Sequence, residues 1–323
     1  MKKNAVIVPV LSRIHRKISC KFFFLLLLSS GLLLTTSCSR TGNMPDISMY
    51  EFQDTRNLVK FVYESAGKLE KDGLKQIEDF RKNRSLYRKE NYYLYVYRTN
   101  GDNLFHAGVG DIEGKNLMEI TDINGKKIMR LVLQALENRK NPHGWVHYSW
   151  WEPGKFYPVP KSSCHFKVNT PGGDELIVGA GMDYPHEEKE FVRIAVESAV
   201  DLIEREGEKA FDEISDPKSA YIYRDVKVFA FDSSGSTIVS PVIKNSPIEI
   251  NFLESFDDSG HQPFKRALEE LKSHDSNWQV FMARSRERRS LVKKVLFLRK
   301  MEYGGETIYV GAITNLPQPA TAD

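Results

Sequence analysis

LVKFVYESAGKLEKDGLKQIEDF at residues 58–80 returns 134 positions later as VRIAVESAVDLIEREGEKAFDEI at residues 192–214. In the first copy Leu58, Val62, Ala66, Leu69, Gly73, Ile77 and Phe80 step by 4, 4, 3, 4, 4 and 3, one stripe of a long amphipathic helix. Val192, Val196, Val200, Ile203, Gly207, Phe211 and Ile214 hold the same places in the second copy. Any amphipathic helix reproduces the spacing. It does not reproduce a glycine at the same seam, or Glu-Ser-Ala beginning at both Glu64 and Glu197. The agreement continues beyond the helix. Residues 94–97 match 228–231, and Asn100-Gly101, a hairpin-turn signal, matches Ser234-Gly235 at the same offset of 134. Trp145 then pairs with Trp278, and LIVGAG at 176–181 with IYVGAI at 308–313, the offset drifting by one or two. The chain is a duplicated unit of about 130 residues.

Each unit reads as a long helix, a strand, a tight turn, a short strand, a polar Gly-rich segment, a short covering helix (126–138 and 263–274) and three strands. Strands this close in sequence and joined by turns are expected to pair antiparallel, an α+β class. The expected organisation is a signal peptide at 1–37, a flexible linker at 38–50, a first unit at 51–186, a second, degenerate unit at 187–316 and a disordered tail at 317–323. Pro185 and the acids Glu187, Glu188 and Glu190 mark the junction, so the second long helix is expected to join the units rigidly.

The 323 residues are 41% hydrophobic and 28% charged, which excludes both a disordered chain and a multi-span membrane protein. Net charge is +3, but six of the 46 basic residues lie in the first 37 positions, where there is no acid. Without that segment 40 basic residues face 43 acids, net −3, so charge gives no argument for nucleic acid. Residues 22–34, FFFLLLLSSGLLL, form an uncharged run too short for a spanning helix and suited to a signal-peptide core. Thr36 and Ser37 ahead of Cys38 resemble a bacterial lipobox, with Cys38 the lipidated residue, although Thr35 stands where leucine is usual. The alternative is an uncleaved anchor. Both readings place the body outside the cytoplasm, and Ser39 after Cys38 tilts sorting toward the outer membrane.

Enzyme readings find no support. Cys164 and His165 are adjacent, so on a strand they face opposite ways and form no nucleophile–base pair. There is no phosphate loop, nucleophile elbow, zinc-protease motif or Cys-x-x-Cys. His143 and His147 are four apart, but Gly144 breaks the helix that would align them as metal ligands. No cofactor, metal or intramolecular disulfide is expected.

The first unit carries a combination of motifs: Gly114-Lys115-Asn116-Leu117, Asp122 with Gly125 before a helix, Gly144-Trp145-Val146 leading to Tyr148 and Trp150, Pro153, Pro160-Lys161, and Val178-Gly179-Ala180-Gly181. Together they resemble the bacterial Cache sensor family. The resemblance covers Tyr92 to Tyr184, and the second unit shares its outline while losing Tyr-x-Trp, Pro-Lys and Asn-Leu. It implies two tandem PAS-like Cache units outside the cytoplasm, the first holding a small molecule between its sheet and the helix above. Such domains usually sit ahead of a chemotaxis, kinase or cyclase module. This chain has none, so a membrane-bound kinase or chemoreceptor partner is expected to carry the output.

For the pocket, an extended reading places Trp145, His147 and Ser149 on one side and Val146, Tyr148 and Trp150 on the other; Lys161, Ser163 and His165 share a face of the next strand. Lys161 beside a tyrosine hydroxyl and indole walls is a candidate receptor for a short carboxylate, the small organic acid that the resemblance implies. The candidate ligand residues are Tyr95, His106, Trp145, Tyr148, Trp150, Lys161, Ser163 and Asp183, the last as a contact for an amine. The competing reading makes the aromatics core and the Cache folds a docking platform without a ligand. In the second unit Arg284, Arg286, Arg288, Arg289, Lys293 and Lys294 replace the Trp and Pro positions and read as a solvated charged loop, or as a surface for anionic lipid or an acidic partner.

Overall fold

The computed structural model describes residues 44–151, 156–240, 250–284 and 290–316. The expected signal segment, Cys38, Pro153, Arg286, Arg288, Arg289 and the 317–323 tail lie outside the described residues.

The first unit runs α1 (Gln53–Asp72), α2 (Lys75–Lys82), β1 (Tyr92–Arg98), β2 (Asn103–His106), α3 (Ile128–Glu137), β3 (Val146–Trp151), β4 (Pro158–Asn169) and β5 (Glu175–Asp183). Its five strands pair antiparallel in the order β2-β1-β5-β4-β3. The second runs α4 (Lys189–Glu206), α5 (Lys209–Ser215), a short ribbon of β6 (Ile222–Tyr223) and β7 (Val226–Lys227), then β8 (Phe229–Asp232), β9 (Thr237–Val239), α6 (Pro263–Glu270), β10 (Ser276–Arg284), β11 (Leu291–Tyr303) and β12 (Glu306–Asn315). Its sheet, β9-β8-β12-β11-β10, repeats the first strand for strand.

The repeat extends to irregularities. The β1–β2 register slips between Val96 and Tyr97, and the β8–β9 register slips between Ala230 and Phe231, 134 residues on. Asn116 Nδ2 donates to Asn100 O (2.9 Å), and Asn251 Nδ2 donates to Ser234 O (3.1 Å), so each Asn clamps the hairpin turn of its own unit. Asn251 thus keeps a role that the sequence comparison assigns only to the first unit.

The shared glycines correct one expectation. The apolar stripe predicts one unbroken helix, yet α1 ends at Gly73 (φ 64°) and α4 at Gly207 (φ 63°), and a short second helix follows each. Gly73 N–H donates to Leu69 O and Gly207 N–H to Ile203 O, both at 2.9 Å, closing the helix ends in a conformation that only glycine adopts cheaply. The stripe persists across the break: Leu58, Val62, Ala66, Leu69 and Phe80 are all fully buried.

The helix pairs position the sheets. α1 packs on β4 and β5, α4 on β11 and β12. One continuous core contains Leu58 and Leu69 of α1, Val178 of β5, Val196 and Ile203 of α4 and Val310 of β12. A second cluster, with Phe229, Phe231, Phe264 and Leu296, lies on the other face of the second sheet beneath α6.

The start of α1 is held from the junction. Glu188 accepts hydrogen bonds from Glu51 N (2.8 Å) and Phe52 N (3.0 Å), an acid at a helix N-terminus where free N–H groups and the dipole favour it. Tyr50, expected to end a flexible linker, is 1% exposed. Its hydroxyl meets His143 Nδ1 at 2.5 Å and accepts from Trp145 Nε1 at 2.7 Å.

Candidate functional site

Alternation along the strands brings Tyr93, Tyr95 and Tyr97 of β1, His106 of β2, Tyr148 and Trp150 of β3, and Lys161, Ser163 and His165 of β4 to the sheet face opposite α1. β5 contributes Gly179 and Gly181 to this face. A Cβ on Gly179 would stand 2.4 Å from the His165 ring and 2.5 Å from Tyr95; on Gly181 it would stand 3.0 Å from the Lys161 stem. Side chains from the neighbouring strands lie across these glycines. Above them, Ile112, Leu117, Ile120 and the Ile128, Met129 and Val132 face of α3 close a cavity of about 70 Å³ floored by the three tyrosines, His106, Tyr148, Trp150 and His165.

Both histidines here are neutral. His165 Nδ1 is 2.7 Å from Gly144 O, a group that only accepts, so Nδ1 carries the hydrogen and Nε2 accepts from Tyr95 OH at 3.0 Å. Burial pushes His165 down to about 4. His106 Nδ1 accepts from Val109 N–H at 2.8 Å. Burial, helped by the nearby Lys161 charge, pushes His106 down to about 3. Tyr148 is held in the phenol form by burial.

Lys161 departs from the expected free receptor. It is 2% exposed, donates to Tyr93 OH at 2.9 Å and lies 2.9 Å from Asp183 Oδ1, its register partner across β4–β5. A buried ammonium needs such compensation, because desolvating an unpaired charge costs several kcal/mol. Lys161 instead borders a second cavity of about 330 Å³, shared with Tyr148, that reaches Lys126 and Arg224. Those cations are engaged too: Lys126 Nζ donates to Ile222 O (2.5 Å), and Arg224 bonds Pro185 O (2.9 Å) and Glu187 (3.1 Å).

Of the expected site residues, Tyr95, His106, Tyr148 and Trp150 line the smaller cavity. Lys161 and Asp183 form a pair beside it, and Asp183 meets the Lys161 ammonium where the sequence suggests a ligand amine. Ser163 is fully buried, its Oγ donating to Val146 O at 3.5 Å. Trp145 does not belong. It lies on the opposite side, its indole 4.7 Å from the Phe191 ring of α4, and serves the contact between units. Tyr93 was missed; the alternation Tyr93, Tyr95, Tyr97 carried the signal. Cys164 faces the core while His165 faces the cavity, so they are apart as their adjacency requires. Among the described residues no group of acids, histidines or cysteines is arranged to hold a metal ion, and no helix is long and apolar enough to cross a membrane.

Two five-stranded antiparallel sheets of identical strand order, one with a roofed pocket of aromatics and a buried ion pair, define a tandem PAS-like sensor architecture. The chain belongs to the Cache domain family: the family model described as Cache domain, of the double-Cache kind, matches residues 47–305. Cache domains are extracellular ligand-binding sensor domains of chemoreceptors and kinases. The comparison with curated proteins gives no match. Among solved structures, the chain is similar to a methyl-accepting chemotaxis protein from Vibrio parahaemolyticus RIMD 2210633, with 18% identity, 40% of this chain and 88% of that one covered, and TM-score 0.32. It is also similar to a Cache chemosensory domain described for carboxylic acid recognition (19%, 41% and 94%, TM-score 0.34) and to the ligand-binding domain of an amino acid chemoreceptor from Pseudomonas aeruginosa PAO1 in complex with L-Arg (10%, 80% and 86%, TM-score 0.25). Likenesses of this size fix neither ligand nor partner.

Proposed function

We propose that this chain is an extracytoplasmic sensor, held at the membrane by lipidated Cys38, whose first unit binds a small carboxylate that also carries a positive charge, such as a short amino acid. The observation that carries this reading is the Lys161–Asp183 pair at 2.9 Å beside the pocket, where Lys161 donates to Tyr93 OH of the pocket floor. A simple carboxylate entering there adds an uncompensated negative charge to a low-dielectric site. A zwitterion keeps the balance, its carboxylate on Lys161 and its ammonium on Asp183. The roughly 70 Å³ cavity suits a ligand of a few heavy atoms, with Tyr93 and Tyr148 as neutral hydrogen-bonding groups and the neutral histidines supporting the wall. The simple short carboxylate expected from the sequence is therefore narrowed to one with a compensating amine. Binding, not catalysis, is the activity; occupancy passes to a membrane-bound kinase or chemoreceptor partner.

A thermal-shift panel of short carboxylates, amino acids and amines tests this. Ligand at 100 times its dissociation constant adds about 2.7 kcal/mol and raises the midpoint by several degrees. Amino acids are expected to shift the chain while amines and simple carboxylates leave it unmoved. Silence from a cooperatively melting chain contradicts the reading and favours a docking lipoprotein without ligand.

A further inference from the structure

We propose that the second unit carries its own binding site, built for a small anion with an apolar body, such as an aromatic carboxylate, and that it is not a ligand-free spacer. The strand registers locate it. Tyr95 pairs with Gly179 as Phe229 pairs with Gly311, and Tyr148 pairs with Lys161 as Phe281 pairs with Lys294. At the equivalent place the second sheet has a cavity of about 310 Å³, walled by Phe229, Phe252, Phe281 and Ile313 and bordered by Lys227 and Lys294. It is larger than the roofed pocket of the first unit and falls within the range of small-molecule sites.

Charge separates the two pockets. Lys161 faces Asp183 across its ladder, whereas Lys294 faces the neutral Asn315. Among the described residues no acid lies within ion-pair distance of Lys294 or Lys227. The one carboxylate bordering the cavity, Asp225, accepts a hydrogen bond from Asn315 Nδ2. Two cations, Lys294 half-buried and Lys227 exposed, and one engaged acid over phenylalanine walls present a net positive site with room for a ring. An ammonium in such surroundings favours a carboxylate, and the walls reward an apolar body.

The test is calorimetric titration of the full chain with phenylacetate, with acetate and 2-phenylethylamine as probes lacking the ring or the negative charge. Phenylacetate is expected to bind, acetate to bind more weakly and the amine not at all. Lys294→Met should weaken phenylacetate about tenfold or more, and Lys294→Arg should retain most of the affinity. Ala283→Trp, which fills the cavity without changing charge, should abolish binding; circular dichroism checks that each variant is folded. Saturating alanine should leave the phenylacetate isotherm unchanged, because this site stands independently of the first. No binding by the unaltered chain, binding indifferent to Lys294→Met, or displacement by alanine each overturns the proposal.

Discussion

Asp183 Oδ1 lies 2.9 Å from Lys161 Nζ, across the β4–β5 ladder and almost out of solvent. Removing one partner of such a pair leaves the other charge buried alone, typically at a cost of about 3 to 5 kcal/mol, while replacing both with neutral groups is often nearly harmless. Asp183→Asn is therefore expected to lower stability in urea by about 3 kcal/mol, and Lys161→Met with Asp183→Asn to recover most of it. Equal stability of the single and double variants would show that the pair is solvated.

Acid should loosen the first unit through its neutral histidines. A histidine held at about 4 in the folded state binds fewer protons than its unfolded form, near 6.5, so stability is full above about pH 6.5 and falls as pH drops toward 4. For His165 the loss between pH 7 and pH 4 is about 3 kcal/mol. Urea denaturation across that range should show a shallower acid slope for His165→Gln than for the unaltered chain. Identical slopes would mean that His165 titrates freely when folded.

Two glycines should respond oppositely to alanine. Gly67, in mid α1, has open space where a Cβ would stand, so Gly67→Ala should stabilise by roughly 0.5 to 1 kcal/mol. The Gly179 Cβ would stand 2.4 Å from His165, so Gly179→Ala should destabilise by about 1 to 3 kcal/mol. Thermal denaturation of the two variants in parallel reads both signs.

Lipidation at Cys38 is checked by fractionation and fatty-acid labelling. The unaltered chain should take up label and follow the membrane; Cys38→Ser should do neither. A Cys38→Ser chain that stays with the membrane would favour the uncleaved anchor.

How much was legible in the sequence follows from which physical rule fixes each feature. Helix stripes and strand alternation are local, so Leu58 with Val192, and Tyr148 and Lys161 with their faces, can be read directly. Asn251 and Lys294 could not be matched to Asn116 and Lys161, because their offsets are 135 and 133 and only the observed pairings bring them into line. Lys293 and Lys294 belong to β11, and Arg284 ends β10, so that part of the basic run is strand and not the expected solvated loop. The Lys161–Asp183 pair depends on the β4–β5 register, and a one-residue slip would reverse it. The place of Trp145 is illegible for a related reason: alternation gives its side of the strand, but not that Phe191 of the other unit covers it.

The most direct measurement is calorimetric titration of the unaltered chain and of Asp183→Asn with alanine and with propionate, which differ by one ammonium group. The expected result is that the unaltered chain binds alanine and rejects propionate, while Asp183→Asn, its Lys161 charge unpaired, reverses that preference. Propionate binding to the unaltered chain at least as tightly as alanine, or a preference untouched by Asp183→Asn, would contradict the zwitterion site.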